Sequence, residues 1–248
     1  MIGPGRTSIV SNSVAVALVI LLGQACSRTA PLDTIVRGGA GPPTLVLLHG
    51  YGSSAEQWLP FTATIRWPAH GRFVFPQAPE AGPAGGRAWW PLDLYDHLAP
   101  GTGLPDLSAT SPEGLPAAAM RVAALLTRIR SDVGGPVVLG GFSQGAMVAS
   151  EIAFRTTTPL DALVLLSPTT VSEAAWASGY ASRRTLPIFM AHGRQDRVLS
   201  FAVADRWRRS LQDAGLLVTW HAFDGDHEMP AEVVAALNQF LERGRWGR

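Results

Sequence analysis

Short, wholly apolar runs alternate along the chain with amphipathic stretches. Thr44–Leu48, Arg72–Phe75, Pro136–Gly140, Leu160–Leu166, Leu186–Ala191 and Leu216–Ala222 read as strands, and Asp33–Val36 is a further strand-like stretch. Unbroken apolar runs of this length suit parallel strands covered on both faces. Helices are expected between them. One spans Ser54–Ile65 with Ser53 or Ser54 as cap. Another opens at Ser111-Pro112-Glu113-Gly114, with a Ser cap and Pro at the first position, and reaches about Arg130. A helix follows at Ala146–Ile152, then Phe201–Ala214, then Pro230–Arg243, whose Val233, Val234, Leu237, Phe240 and Leu241 repeat at helical spacing. This alternation predicts an α/β fold: a mostly parallel, doubly wound sheet with helices on both faces. A long Gly/Pro-rich loop from about Gln77 to Pro112 interrupts it, and a second loop carries Trp176 and Tyr180.

The N-terminus departs from this pattern. Arg6 precedes an apolar run, Val14–Leu22. Nine residues rising roughly 1.5 Å each fall far short of the ~30 Å bilayer core, so the run reads as the apolar centre of a signal peptide. Gly23-Gln24-Ala25 offers a small-x-small cleavage site just before Cys26. A Cys at that place resembles a bacterial lipobox, although Leu22 stands four residues before the Cys rather than three. Two readings stay open: a lipidated Cys26 tethering the chain to a membrane, or plain cleavage leaving a free thiol. The expected organisation is therefore a signal peptide over residues 1–25, a linker and first strand over 26–43, and a catalytic domain over 44–248. The expected location is outside the cytoplasm of a bacterium: lipid-anchored, periplasmic or secreted.

Composition narrows the class. An apolar fraction of 47% is ample for a core, and a formal net charge of +1 argues against a nucleic-acid partner. All 20 basic residues are Arg, and they are scattered rather than clustered. Cys26 is the only cysteine, which excludes an intrachain disulfide.

The candidate chemistry centres on Gly141-Phe142-Ser143-Gln144-Gly145, between the strand Val137–Leu139 and a helix. A Ser on such a strand–turn–helix corner is a nucleophile elbow, its glycines needed where strand and helix crowd together. Serine needs a base to take its proton and an acid to orient that base. In the chain order Ser, acid, His, Asp196 follows the strand Pro187–Met190, and His227 lies in the loop before the last helix. Asp226 could serve in place of Asp196. His49 and His192 precede glycines at strand ends and suit turn-organising roles. An oxyanion hole needs two backbone N–H groups. Gln144, at a helix N-terminus, is one candidate, and Tyr51 in His49-Gly50-Tyr51-Gly52 is the other.

These motifs, taken in order, resemble the phospholipase/carboxylesterase family of α/β-hydrolases, which includes the acyl-protein thioesterases. Leu47-Leu48-His49-Gly50-Tyr51-Gly52 looks like the family's L-H-G-x-G, and Phe75-Pro76-Gln77-Ala78-Pro79 like its F-P-x-A-P. Gly141–Gly145 looks like its G-F-S-Q-G, His192-Gly193 through Asp196 like its H-G-x-x-D, and Gly225-Asp226-His227 is similar to its G-x-x-H region. The resemblance covers about Leu45 to Leu241. It implies a serine carboxylesterase or lysophospholipase-like enzyme working through an acyl-enzyme, with little or no lid domain, no metal and no organic cofactor. Ser143, Asp196 and His227 match its triad, and Tyr51 and Gln144 its oxyanion positions. The implied partner is a small-molecule or lipid ester; the oligomeric state is not readable. Trp89 and Trp90, in a longer loop than the family's, are candidate walls of an acyl or aromatic pocket, or else loop packing. Thioesterase and polyester or feruloyl-type esterase activities are variants of the same chemistry. An envelope-anchored binding protein that keeps the fold without catalysis is the non-enzyme rival. A metal hydrolase built on His192 and Asp196 lacks a recognisable ligand motif.

Overall fold

Among the described residues, the apolar runs pair edge to edge in one seven-stranded sheet. The computed structural model describes residue 1 and residues 30–94, 98, 103–244 and 246. The expected signal segment and Cys26 lie outside the described residues. The strands are β1 (Thr34–Gly38), β2 (Thr44–Leu48), β3 (Arg72–Pro76), β6 (Val137–Phe142), β7 (Ala162–Leu166), β8 (Pro187–Gly193) and β9 (Leu217–Phe223). Their spatial order is β1-β3-β2-β6-β7-β8-β9, with β1 antiparallel to β3 and every other pair parallel. Parallel pairing from β3 to β9 brings all of those C-terminal strand ends to one edge, where open α/β sheets bind their ligands.

Side chains alternate across the sheet and build two core layers. Val46, Leu48, Leu139, Leu165 and Met190 pack on one face against the helices α1 (Gly114–Asp132), α2 (Gln144–Arg155) and α4 (Phe201–Asp213). Leu45, Leu47, Val138, Val164 and Phe189 pack on the other, against Trp58 and α5 (Ala231–Arg243). The doubly wound sheet read from the sequence is the observed one. Every residue of α2 except Arg155 is buried, as a helix enclosed on all sides requires.

Local details differ from expectation for physical reasons. The Ala55–Ala63 segment is a 3₁₀ helix, with Pro60 inside it; Ser54 precedes it in extended conformation, and its side chain makes no cap hydrogen bond. A proline in the interior removes one N–H donor and clashes with the carbonyl four residues back, which disfavours α geometry. Helix α1 starts at Gly114 rather than near Ser111, and Pro116 falls in its first turn, where a missing N–H costs nothing. The Gly/Pro-rich loop folds a small hairpin from β4 (Glu80–Ala81) and β5 (Arg87–Ala88). The loop with Trp176 and Tyr180 forms α3 (Glu173–Ala177) and a 3₁₀ turn, and both aromatic side chains are buried beside Trp207. There Trp207 Nε1 donates to the Tyr180 hydroxyl at 2.9 Å, and burial pushes the Tyr180 phenol up to about 12.

Candidate active site

Ser143 sits on the corner between β6 and α2 with φ 55° and ψ −118°. A non-glycine residue held there costs on the order of 1–3 kcal/mol and persists only where its surroundings fix it. They do so here. The Ser143 N–H donates to the Leu166 carbonyl at 2.9 Å, and the Ser143 carbonyl accepts from Ala146 N–H at 2.9 Å. The glycines are sterically required. A Cβ on Gly141 would lie 2.2 Å from the Gly145 carbonyl, and one on Gly145 would lie 2.3 Å from the Leu48 carbonyl oxygen.

Asp196 follows β8 and is 3% exposed. Its Oδ1 accepts from the Val198 and Leu199 N–H groups, each at 2.8 Å, and its Oδ2 accepts from His227 Nδ1 at 2.7 Å. Burial pushes this carboxyl up. The His227 bond and charge, the Leu199 amide and nearby His192 outweigh it, so the carboxyl lies below its ordinary range. With the Nδ1 proton committed to Asp196, His227 presents an unprotonated Nε2 in its neutral form. Phe142 packs on the imidazole with ring centroids 4.7 Å apart. The alternative acid, Asp226, is engaged elsewhere. It accepts from Arg197 N–H and Nε at 2.8 and 2.6 Å and from the His227 backbone N–H at 2.8 Å. Those amide and guanidinium bonds hold its carboxyl down to about 2. Asp196 is the acid that meets the imidazole ring.

A cavity of about 370 Å³ opens at this edge and is lined by both Ser143 and His227. Gly50 and Tyr51 form part of its rim, and Leu92, Leu94, Met147 and Leu199 supply apolar wall. The loop after β2 runs directly beside the serine: a Cβ on Gly50 would lie 3.3 Å from Ser143 Cβ. Gln144 is the first residue of α2, so its N–H lacks an intrahelical acceptor and points out of the positive helix end. The two other histidines near the site are structural in their bonding. His49 Nε2 accepts from Ala78 N–H at 3.1 Å, so Nδ1 carries the proton and faces the Gly50 carbonyl at 2.8 Å. Burial lowers its basicity, as it does that of His192. The His192 Nε2 lies 3.7 Å from Asp196 Oδ2, and its Nδ1 faces the Gly193 carbonyl at 3.1 Å.

Of the two readings of Trp89 and Trp90, pocket walls or loop packing, the structure corrects the first for the cavity at Ser143. They are 2% and 3% exposed and neither lines that cavity, although Trp90 borders a neighbouring one with Leu92. Leu92 and Leu94, further along the same loop, line the cavity at Ser143. The indoles are drawn inward because the loop is tied to the elbow. Trp89 N–H donates to Gln144 Oε1 at 2.9 Å, Gln144 Nε2 donates to the Trp90 carbonyl at 2.8 Å, and Trp89 Nε1 donates to the His49 carbonyl at 2.8 Å. The Gln144 side chain is thus a second function of a residue read only for its backbone. A polar residue immediately after the serine, followed by the apolar run Gly145–Ala149, was the available signal.

The architecture is that of an α/β-hydrolase, with a serine elbow, a His–Asp pair and an apolar cleft at one sheet edge. The sequence profile described as phospholipase/carboxylesterase matches residues 34–244. The chain is 26% identical over 227 residues to acyl-protein thioesterase 1 of Yarrowia lipolytica, covering 86% of this chain and 96% of that protein. It is 29% identical over 237 residues to the protein of the same name from Mycosarcoma maydis, covering 86% and 97%. The crystal structure of esterase PE8 superposes with a TM-score of 0.72 at 25% identity, covering 86% of this chain and 99% of that one. Acyl-protein thioesterase 2 of Zea mays shares the fold with a TM-score of 0.66 at 24% identity, covering 85% and 98%. The chain belongs to the phospholipase/carboxylesterase family and is a hydrolase of ester bonds.

Proposed function

We propose that this chain is a serine carboxylesterase that cleaves its substrate through an acyl-enzyme. The observation that carries the reading is the 2.7 Å Asp196–His227 bond facing the same cavity as Ser143. His227 Nε2 takes the hydroxyl proton as Ser143 Oγ adds to the ester carbonyl, and Asp196 stabilises the imidazolium. The N–H groups of Gln144 and Tyr51 hold the oxyanion. The imidazolium then protonates the leaving oxygen, the C–O bond breaks, and the alcohol departs. Water, deprotonated by His227, attacks the acyl-enzyme and frees the acid and Ser143. The apolar walls at Leu92, Leu94, Met147 and Leu199 suit an uncharged acyl chain. The test is turnover of p-nitrophenyl acetate and butyrate. Ser143→Ala should abolish it and abolish fluorophosphonate labelling; unchanged turnover would overturn the assignment.

The fungal relatives named acyl-protein thioesterase favour a second substrate class with the same chemistry, thioesters. Matched oxygen and sulfur esters of butyric acid separate the two by kcat/KM. The apolar Val14–Leu22 run and Cys26 support export, with residues 1–25 removed and Cys26 the first mature residue, lipidated or free. The intact mass of the mature protein from a bacterial host tests both steps.

A further inference from the structure

A second cavity, of about 150 Å³, adjoins the catalytic cleft. The two share Gly50, Ser53, Gln57 and Phe142 as lining residues. The remaining walls are His49, Trp58, Phe61 and Met229. Trp58 and Phe61 pack edge to face with centroids 5.5 Å apart. A volume of about 150 Å³ is large enough for one benzene ring. Aromatic faces and a thioether add favourable ring contacts to simple burial.

The position of the cavity assigns which half of an ester it takes. The leaving oxygen must receive its proton from His227 Nε2, so the alcohol half lies on the His227 side of the scissile bond. His227 itself faces the larger cavity; Phe142, which packs on its ring, lines both cavities, and Met229, two residues after His227, lines the small one but not the larger. Leu92, Leu94 and Leu199 line only the larger one. We infer that the small cavity is a leaving-group subsite for an alcohol bearing a single six-membered aryl ring, such as a benzyl ester. This rests on the proposed roles of Ser143 and His227. It adds a substrate class defined by the alcohol rather than the acyl chain.

The experiment compares acetate esters of primary alcohols, whose leaving-group acidity varies little: ethyl, benzyl and 2-naphthylmethyl. In the wild type, kcat/KM should be about tenfold or more higher for benzyl than for ethyl, a ring's worth of apolar contact, and should fall again for the larger naphthylmethyl. Phe61→Trp, at a half-buried position, fills the cavity. It should erase the benzyl advantage, bringing benzyl kcat/KM down to that of ethyl acetate. Met229→Ala should raise naphthylmethyl turnover, because Phe61 and Met229 also border a surface groove lined by Ala231 and Val234. That gain cannot come from misfolding. Deacylation, measured with a common acetyl group, should be the same for all three enzymes. Benzyl and ethyl acetate within twofold of each other in the wild type overturn the subsite. So does a Phe61→Trp enzyme that slows both alike. If Ser143 is still labelled by fluorophosphonate in those cases, only the subsite fails; if Ser143→Ala remains active, the underlying esterase reading fails with it.

Discussion

Asp196→Asn changes one atom of the proposed machinery and should remove nearly all of its output. The carboxylate accepts three hydrogen bonds: two at Oδ1 from Val198 and Leu199 N–H, and one at Oδ2 from His227. An amide can keep the first two by placing its oxygen at the Oδ1 position. Its NH₂ then faces His227 Nδ1, which must accept rather than donate. The imidazole is driven into the tautomer with its proton on Nε2, where it cannot take the proton of Ser143. The charge that would stabilise the imidazolium is lost as well. In serine proteases the equivalent change lowers kcat by about 10⁴-fold, or about 5.4 kcal/mol of barrier. A loss of about 10³- to 10⁴-fold in kcat on p-nitrophenyl butyrate is expected here. Stability should fall by only about 1.5–3 kcal/mol, one charge-assisted bond. The pH dependence of that difference gives an independent reading. The folded-state carboxyl of Asp196 lies below its unfolded value, so its contribution is complete above about pH 4 and is lost as pH falls through the folded value. The stability gap between wild type and variant, measured by urea unfolding, should therefore narrow as pH falls below about 4. A folded variant retaining more than a tenth of wild-type kcat would refute the assignment of Asp196.

Two further substitutions separate the site from its surroundings. Asp226→Asn removes a carboxylate that faces Arg197 rather than the imidazole ring, so kcat should stay within about threefold of wild type, as solvent-exposed ion pairs are weak. Gln144→Ala leaves the backbone donor in place but strands the Trp89 N–H and Trp90 carbonyl, costing about 1–3 kcal/mol for each group left unpaired. Differential scanning calorimetry should show a lower Tm, while Ser143 remains reactive toward fluorophosphonate.

The parts of the fold legible in the sequence are those set by short-range periodicity. Short unbroken runs such as Leu45–Leu48 and Leu163–Leu166, bounded by turn residues, suit strands buried on two faces, and both are fully buried. The elbow was legible because its requirement is local: Gly141 and Gly145 meet each other across one turn. Asp196 and His227 were legible as strand-end positions, with Asp196 preferred as the acid and Asp226 kept as its possible replacement. Both are near His227 in the fold, and only the turn that presents Asp196 Oδ2 to Nδ1 distinguishes them. The 77–112 loop was the least legible segment. Its glycines and prolines specify turns without specifying which side chains go inward. Trp89 and Trp90 go inward because of bonds to residues 40 to 55 positions away. No window of neighbouring residues carries that information. The apolar contacts then fall to Leu92 and Leu94, which are unremarkable in sequence.

Those long-range bonds give Trp89 a role other than substrate contact. The two proposed oxyanion donors come from separate segments, the start of α2 and the loop after β2. Their spacing must be fixed before a substrate arrives if they are to stabilise charge without reorganising. Trp89 bridges the two segments. Its N–H is held by the Gln144 side chain, and its indole Nε1–H holds the carbonyl of His49, two residues before Tyr51. Trp89→Phe keeps most of the ring volume and the backbone bond, and deletes only the indole donor. The buried His49 carbonyl then loses a partner, at a cost of about 1–3 kcal/mol, and the Tyr51 donor loses a restraint. Full loss of one oxyanion donor lowers kcat by about 10²- to 10³-fold, and loosening it should lower kcat by about tenfold. KM and the ranking of acetate, butyrate and octanoate esters should not move, because Trp89 does not border the cleft. A substrate-wall role predicts the opposite split, a shifted acyl-length ranking with kcat retained for short chains, and that result would refute the bridging role.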